Sequence, residues 1–404
     1  MNGQCRHIGV AERRARLAVG QRLAGSARAN TPEEVGASLV VLHGTDPASV
    51  YLAVGARLTD AASPGIVPEM ERALYEDRTL IRMHGMRHTV FVFPTGLVPV
   101  VHASTGLTVA ARARAALVKD MARAGAPDAE WLVEVETSAL AALARRGEAT
   151  AAELARDEPR LKEQFTYAAG KSYEGVHTVS SRLLRVLGVE GRVVRGRPLG
   201  SWTSTQFRWA AAPPCAELPV AEAQAELIRR WLGACGPATE ADLKWWTGWK
   251  VSDVRRALGA VGAVTVSVDE GVAYVLADAV EPVEAVEPWA ALLPGLDPTA
   301  MGWQERDWYC PPELRPALFD GSGNIGPTVW WDGRIVGGWA QRPDGEIAWR
   351  LLDGKGSDSE DGGGVGAEAR DAIGAEAARL RSWMGPTRVT PRFRTPLERE
   401  LASA

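Results

Sequence analysis

The segment Leu42–Pro47, with the sequence LHGTDP, brings together three polar side chains that could do chemistry, between two runs with a helical pattern of apolar residues. The imidazole of His43 titrates near neutral pH and could accept a proton, and the hydroxyl of Thr45 could orient a water molecule. Together with the carboxylate of Asp46, they are the groups that would activate water for a hydrolysis.

Each of these residues also has a structural interpretation. Asp46 followed by Pro47 is typical of a helix N-cap with proline in the first turn, and this is the interpretation that the pattern favours. His43 follows a helical pattern and could lie over the free carbonyl groups at the end of that helix. Thr45 could be an ordinary loop hydroxyl. For His43 and Thr45 the sequence leaves the catalytic and the structural interpretations open.

The elements that would position these residues recur along the chain. A threonine is followed three residues later by an acid at Thr31–Glu34, Thr150–Glu153 and Thr239–Asp242. This is the spacing of a capping box, in which the hydroxyl and the acid each accept a free N–H at the start of a helix. Each copy lies between helical patterns and is followed by a hairpin pattern, which predicts three tandem winged helix-turn-helix modules.

The predicted fold is therefore α+β, with three tandem winged helix-turn-helix modules followed by a small β-rich C-terminal domain with a last helix. Asp-Gly turn signals between alternating apolar residues predict an antiparallel sheet over 285–352, followed by the acidic Gly-rich loop DGKGSDSEDGGGVG. The predicted modules span 1–125, which holds the candidate catalytic segment, 126–212, which carries a basic hairpin, and 213–284. The C-terminal domain spans 285–404.

Positive charge is concentrated in the first half of the chain. Residues 1–210 hold 27 Lys and Arg against 21 Asp and Glu, and all six histidines, whereas the remainder holds 19 against 29. The net charge of −4 argues against a histone-like protein. A polyanionic partner would bind the first half.

The hairpins of the first two predicted modules carry candidate DNA contacts, because a winged helix lays its hairpin along the nucleic-acid backbone. Their other interpretation is a solvated hairpin whose charges serve solubility. Trp202, at the turn of the second hairpin, is predicted to stack on a base. The third hairpin, TVSVDEGVAYVLAD, has no basic residue and is expected to pack against its neighbours. The candidate contacts are Arg82, His84, Arg87 and His88 on the first hairpin and Arg192, Arg195, Arg197, Ser201, Trp202, Ser204, Gln206 and Arg208 on the second.

Other motif-like segments lack the context that their chemistry needs. GSGNIG, at 321–326, is followed by Pro327 and a strand pattern instead of a helix, and FTYAAGKS has Phe165 where a P-loop needs its first glycine, so no nucleotide cofactor is expected. The four cysteines are scattered, which predicts neither disulfides nor a metal site. No signal peptide or membrane span is recognisable, and we expect a cytoplasmic, monomeric protein without cofactors.

The order of five segments resembles the bacterial winged helix DNA-binding domain family, whose characterised branches are the AlkZ-type and YcaQ-type DNA glycosylases. The segments are LHGTDPASVYLA, YEDRTLIRMHGMRHTVFV, GPATEADLKWWTG, LLPGLDP and TVWWDGRIVGGW, and the resemblance covers nearly the whole chain. It implies binding of double-stranded DNA, alkylated or crosslinked, and excision of bulky N7-alkylated guanines. These glycosylases carry Gln-x-Gln or Gln-x-Asp shortly before Asp-Pro, and His43 and Thr45 stand at the two polar positions.

We therefore predict a monofunctional DNA glycosylase. N7 alkylation makes guanine a cationic leaving group, so the protein must mainly stabilise an oxocarbenium-like sugar and activate water, with His43 as the base and Thr45 orienting the water. Because both polar positions differ from the family motif, the alternative is a non-catalytic DNA-binding protein, a regulator or a lesion sensor. A third alternative, winged helices that mediate protein contacts, is disfavoured by the basic second hairpin.

Overall fold

The computed structural model describes residues 5–59, 65–125, 128–168, 170, 174–352 and 365–403. Helices form 49% and strands 19% of the structure, so the predicted α+β class is confirmed. The acidic Gly-rich loop lies outside the described residues over 353–364, and so does most of the AAGKS part of the P-loop-like segment.

The first region carries the candidate catalytic segment on a short edge strand. Its elements are α1 (Val10–Gly20), α2 (Pro32–Leu39), β1 (Leu42–His43), α3 (Pro47–Gly55), α4 (Ile66–Glu71), β2 (Leu80–His84), β3 (Val90–Pro94), α5 (Val98–Val101) and α6 (Leu107–Arg123). The strands form an antiparallel sheet in the order β1-β3-β2, with His43 opposite Phe91. The interpretation of His43 as a helix C-terminal residue is wrong, because α2 ends at Leu39 and the positive φ of Val40 turns the chain into β1.

The second region has the predicted helices and hairpin, together with one hairpin that the sequence did not predict. Its elements are α7 (Ala129–Arg146), β4 (Glu148–Ala149), α8 (Ala151–Asp157), β5 (Gln164–Tyr167), β6 (Gly175–Thr178), α9 (Val179–Val189), β7 (Val193–Pro198) and β8 (Phe207–Ala211). The additional hairpin, β5 with β6, separates α8 from α9. The strand β8 pairs with both β7 and β4.

The third region follows the predicted order of three helices and a hairpin. Its elements are α10 (Val220–Cys235), α11 (Glu240–Thr247), α12 (Val251–Ala260), β9 (Val264–Val268) and β10 (Gly271–Val275). The exposed acidic turn between β9 and β10 includes Glu270, which pairs with Arg13 of α1 at 2.6 Å. This ion pair agrees with the expectation that the third hairpin packs against its neighbours.

The C-terminal region contains the predicted antiparallel sheet, in the order β11-β12-β13-β14, and the predicted last long helix. The final short helix, α15, was not predicted in the basic tail. The elements are β11 (Ala290–Leu293), α13 (Arg315–Leu318), β12 (Thr328–Trp331), β13 (Arg334–Gln341), β14 (Ile347–Leu351), α14 (Ala367–Met384) and α15 (Pro396–Ser403).

The three predicted helix caps are present. Thr150 and Thr239 form complete capping boxes with Glu153 and Asp242. In the first copy, Thr31 accepts the N–H of residue 34 at 3.2 Å, but the acid of that residue accepts from the N–H of Asn30 at 2.9 Å instead of from the threonine. Local spacing therefore predicted each helix start correctly.

The hydrophobic core joins regions that are distant in sequence. Tyr51 and Leu39 of the first region pack in one buried cluster with Trp339 and Ile373 of the C-terminal region. The second region has a separate core, centred on α7, α8 and α9. A further cluster joins Leu17 and Phe91 of the first region to Trp231 of α10, so the first region is held by both the third and the C-terminal regions.

Candidate functional site

The segment after β1 is held in place by hydrogen bonds of Gly44 with Val90 and Arg82. The N–H of Gly44 donates to the carbonyl of Val90 at 2.8 Å, and the guanidinium of Arg82 donates from both Nε and Nη2 to the carbonyl of Gly44. A Cβ at Gly44 would lie 3.1 Å from the backbone of Phe91, so a larger residue would require β3 to move slightly away. The chain bends at Thr45, and His43 and Thr45, which are both half-buried, line two different cavities.

Asp46 is the N-cap of α3. Its Oδ1 accepts the N–H of Ala48 at 3.2 Å, and its Oδ2 accepts the N–H of Arg392 at 3.0 Å. The side chain is 6% exposed. This geometry favours the structural use of Asp46 over a catalytic one, and it also ties the C-terminal tail to the candidate site.

Two cavities flank the turn of the first hairpin. The turn, Met86–His88, holds both Arg87 and His88 at positive φ, 53° and 62°, and the two side chains leave it on different sides. One cavity, of about 380 Å³, is lined by Thr45, His84, His88, Arg185, Arg195 and Arg392, and we name it the basic cleft. The other, of about 560 Å³, is lined by His43, Arg87, Trp245, Arg306, Phe319 and Asn324, and we name it the arginine–tryptophan cavity.

The basic cleft concentrates positive charge without a neutralising acid. Among the described residues, no carboxylate oxygen lies within 4.0 Å of the guanidinium groups of Arg185, Arg195 or Arg392. Burial and the neighbouring Arg82 and Arg392 lower the pKa of Arg195 to about 9, and its Nε is buried without a hydrogen-bond partner. Such an arrangement is unfavourable in an empty site and favours an anionic ligand.

The two histidines of the cleft are neutral at physiological pH. Burial, followed by the charge of Arg195, lowers the pKa of His84 to about 3. Burial and the charge of Arg185 lower the pKa of His88 to about 4, and Arg185 Nε lies 3.2 Å from His88 Nε2. The prediction of His84 as a surface DNA contact is corrected, because it is only 6% exposed and lies at the floor of the cleft.

The remaining arginines of the predicted second wing are engaged within the protein. Arg192 pairs with Glu136, Arg208 pairs with Glu153 at 3.0 Å, and Arg197 pairs with Glu71 at 2.7 Å and Glu76 at 3.3 Å. The acids come from other helices, so the hairpin sequence alone could not show these ion pairs. Of the arginines that the structure describes in the second hairpin, only Arg195 lines the cleft.

Trp202 does not have a free face for a base, contrary to the prediction. It is 6% exposed and lies against Tyr51 and Trp383, with ring centroids 5.1 and 6.0 Å away. Its ring is buried because α14 passes over the hairpin turn. The polar residues predicted beside it remain near the surface, where Ser201 bonds Thr203 at 2.7 Å, Ser204 Oγ donates to the carbonyl of Gln206 at 3.4 Å, and the side chain of Gln206 is exposed.

Arg82 is likewise an internal residue instead of a DNA contact. Its side chain is 4% exposed and donates to Gly44, so it supports the candidate catalytic segment from below. Its charge and its position on the hairpin had suggested a DNA contact, but all five residues of β2 are buried. Burial lowers the pKa of Arg82, and the charge of Asp46 is among the interactions that oppose this lowering.

His43 is a neutral imidazole with one unsatisfied nitrogen. Burial, followed by the charges of Arg87 and Arg82, lowers the pKa of His43 to about 4. Its Nδ1 is buried without a hydrogen-bond partner among the described residues. Its ring packs edge-to-face with the ring of Phe91, and the two ring centroids are 5.6 Å apart. A neutral imidazole can accept a proton at pH 7, but here no protein group fixes which nitrogen carries the hydrogen.

Two arginines of the cleft were missed by the sequence analysis. Arg185 lies on α9, the helix that a winged helix inserts into a groove, so that expectation could have singled it out. Arg392 belongs to a tail whose basic character was evident but whose position was not. Within the described ranges there is no group of three or more His, Cys, Asp or Glu that could hold a metal ion, and no helix long and apolar enough to cross a membrane.

Comparisons with known proteins give a consistent result. Residues 37–383 match the family model described as DNA glycosylase AlkZ-like. An interstrand DNA cross-link repair glycosylase from Streptomyces sahachiroi is 35% identical over 126 residues, which are 29% of this chain and 34% of that protein, so the match spans about a third of the relative. The solved structure of the Streptomyces sahachiroi DNA glycosylase AlkZ is similar with a TM-score of 0.67 at 20% identity, covering 92% of this chain and 96% of that one, which shows a shared fold.

Proposed function

This chain belongs to the AlkZ-like DNA glycosylase family, and from that premise we propose that it hydrolyses the N-glycosidic bond of bulky or cationic N7-alkylguanine adducts in double-stranded DNA. The observation that carries the proposal is the basic cleft, which places three unpaired arginines beside Thr45 and, across the hairpin turn, His43. The similarity to a cross-link repair glycosylase agrees with this substrate class.

We interpret the three helix and hairpin units as winged helices. The unit α10–α11–α12–β9–β10 has the simplest form, and α7–α8–α9–β7–β8 has it with one inserted hairpin. In this interpretation α9 and the hairpin β2–β3 face the DNA from opposite walls of the basic cleft. The third unit contributes to the second cavity through Trp245 of α11.

In the proposed complex the cleft arginines bind phosphodiesters. Arg185, Arg195 and Arg392 supply charge and donors without having to break an internal ion pair. Ser180 and Ser181 stand in the first turn of α9 and also line the cleft, where hydroxyls and helix N–H groups suit phosphate oxygens. The bound phosphates would neutralise the arginines, so an oxocarbenium-like sugar could develop beside them.

The proposed chemistry takes place over the β1 segment. The bond between C1′ and N9 breaks, its electrons go to the alkylated guanine, and this base leaves as a neutral species. Water attacks C1′ and gives its proton to the neutral imidazole of His43, while the hydroxyl of Thr45 orients the sugar or the water. Asp46 holds the segment in place as the cap of α3.

The unpartnered Nδ1 of His43 favours a second candidate, a lesion sensor without catalysis. In most general bases of this type a further group fixes the tautomer, and the described residues supply none for His43. A protein that kept the basic cleft but had no group to orient the imidazole of His43 would bind adducted DNA without releasing a base.

A glycosylase assay on duplexes with a panel of N7-alkylguanine adducts separates the two. We expect base release, and a decrease of about 100-fold or more for His43→Ala with duplex binding preserved. Arg255→Ala, which removes an exposed arginine paired with Glu240, is the matched control and should release bases at the original rate. Release that is unaffected by His43→Ala would refute the assignment of the base, and tight binding with no release from any adduct would support the sensor.

A further inference from the structure

Three guanidinium groups line the arginine–tryptophan cavity, those of Arg87, Arg306 and Arg315, and the proposed reaction uses none of them. Arg87 comes from the turn of the first hairpin, and Arg306 comes from the chain between β11 and β12. Both lie over the ring of Trp245, with Cζ 4.4 and 5.1 Å from its centroid, and Arg306 also lies 5.7 Å from the ring of Phe319. Stacking on an aromatic face fixes the plane of a guanidinium and leaves its N–H edge free.

These donors are almost unused within the protein. Arg87 has no hydrogen bond or ion pair in the described part of the chain, and Arg306, although only 9% exposed, donates once, from Nε to the carbonyl of Gln304 at 3.5 Å. Burial and the charge of Arg306 lower the pKa of Arg87, which shows that the two cations oppose each other. Aromatic stacking holds the two like charges together, and among the described residues no carboxylate pairs with either of them.

The acidic residues near this cavity do not neutralise it. Asp320 is turned into its own loop, where it accepts the N–H groups of Ser322 and Asn324 at 2.8 and 2.9 Å. Asp307 pairs with Arg315 instead of with the stacked arginines. The cavity thus presents two free guanidinium edges beside neutral polar groups, which is the chemistry that recognises a phosphate group.

We propose that Arg87 and Arg306 bind a phosphodiester of the DNA on the side of the hairpin turn opposite the basic cleft. The inference rests on the proposed function, since it takes DNA as the ligand. The turn at Met86–His88 then lies between two phosphate contacts, one through Arg87 and one through the arginines beside His88. Free phosphate or a nucleotide has the same chemistry, so the experiment must separate these sources.

The salt dependence of binding to an unmodified duplex tests the proposal, because each lost phosphate contact lowers the slope of log K against log salt by about 0.9. The double variant Arg87→Gln with Arg306→Gln removes both partners of the one phosphodiester and should lower the slope by about 0.9, and each single variant should lower it by part of that amount. Arg255→Gln is the control and should keep the original slope. Arg306→Lys, which preserves the charge at the buried position, covers the case in which Arg306→Gln does not fold, and it should retain most of the slope.

Slopes that stay unchanged in Arg87→Gln and in the double variant would overturn the proposal. Calorimetric titration with inorganic phosphate and with a mononucleotide distinguishes the sources: if the double variant loses binding of these small anions while its DNA slope is unchanged, the site serves a free phosphate and the proposal is wrong. Base release measured on the same samples keeps the two hypotheses apart. A reduced slope in a protein that releases no base refutes the proposed function alone, whereas release with an unchanged slope refutes this inference alone.

Discussion

Replacing Arg57 by alanine should destabilise the protein strongly, because it would leave a carboxylate buried without its partner. Arg57, just after α3, and Asp297, in the LLPGLDP segment, are both 0% exposed and form a bidentate pair with N to O distances of 2.7 and 2.9 Å. The remaining donors of the guanidinium go to the carbonyls of Gln21 and Ala53 and to the hydroxyl of Thr299. Every N–H of the guanidinium is therefore satisfied in the folded state.

The magnitude follows from what Arg57→Ala removes. Asp297 would lose both charge-assisted bonds and keep the N–H of Thr299, at 2.9 Å, as a partner. Breaking a buried ion pair from one side costs about 3–5 kcal/mol of unfolding free energy. The same charge change at Arg255, whose pair with Glu240 is exposed, should cost less than about 1 kcal/mol.

Urea unfolding followed by tryptophan fluorescence measures these differences, with Arg255→Ala as the matched control. The double variant Arg57→Met with Asp297→Leu removes both charges, and it should recover most of the stability that the single variant loses. If Arg57→Ala unfolded at the same urea concentration as the control, the argument from a stranded buried charge would be refuted. If the double variant were as unstable as the single one, the loss would come from hydrogen bonds and packing instead.

Three further predictions concern the candidate site. The unfolded pKa of histidine is about 6.5 and that of folded His84 is about 3, so the unfolded state binds more protons in between and stability falls as the pH drops below 6.5. His84→Gln should therefore reduce the loss of unfolding free energy between pH 7.5 and 5.5 by about 1.4 kcal/mol, measured by urea titration at both pH values. Asp46→Ala should lower stability by about 1 kcal/mol through the lost cap and weaken DNA binding by releasing the tail at Arg392; unchanged binding would show that the tail needs no anchor. Arg195→Ala should lower the salt slope of DNA binding by about 0.9, whereas Arg197→Ala, which only breaks ion pairs with acids of the first region, should not; equal slopes for the two variants would contradict the ion-pair argument.

Local sequence patterns predicted the elements well. The capping spacing at Thr150 and Thr239 located two helix starts, and Asp-Gly signals located the C-terminal hairpins, because these features depend on residues a few positions apart. The role of Asp46 as a helix N-cap was predictable in the same way, because it depends on the adjacent Pro47. The inserted hairpin β5–β6 was missed because its pattern is short and its turn carries no strong signal.

Side-chain environments within the candidate site could not be predicted in the same way. Trp202 is buried by α14, and Arg197 is neutralised by acids more than a hundred positions earlier, so neither contact leaves a trace in the hairpin sequence. Arg195 and Arg197 are two positions apart and equivalent by composition, yet one faces the cleft and the other faces Glu71. The sequence of a strand shows how many cationic side chains it carries. Contacts with residues that are distant in sequence decide which of those side chains remain without an ion pair.

The hydrogen bond between Asp46 and the N–H of Arg392 has a consequence for how the protein is made. The two residues are 346 positions apart. A ribosome that adds about 5–20 residues per second needs roughly 20–70 s to pass from one to the other. During this time the nascent chain already carries His43 and Thr45, but one wall of the cleft does not yet exist. The candidate site is therefore completed only after Arg392 has been synthesised, and a polypeptide interrupted before that point has the candidate catalytic segment without the enclosure around it.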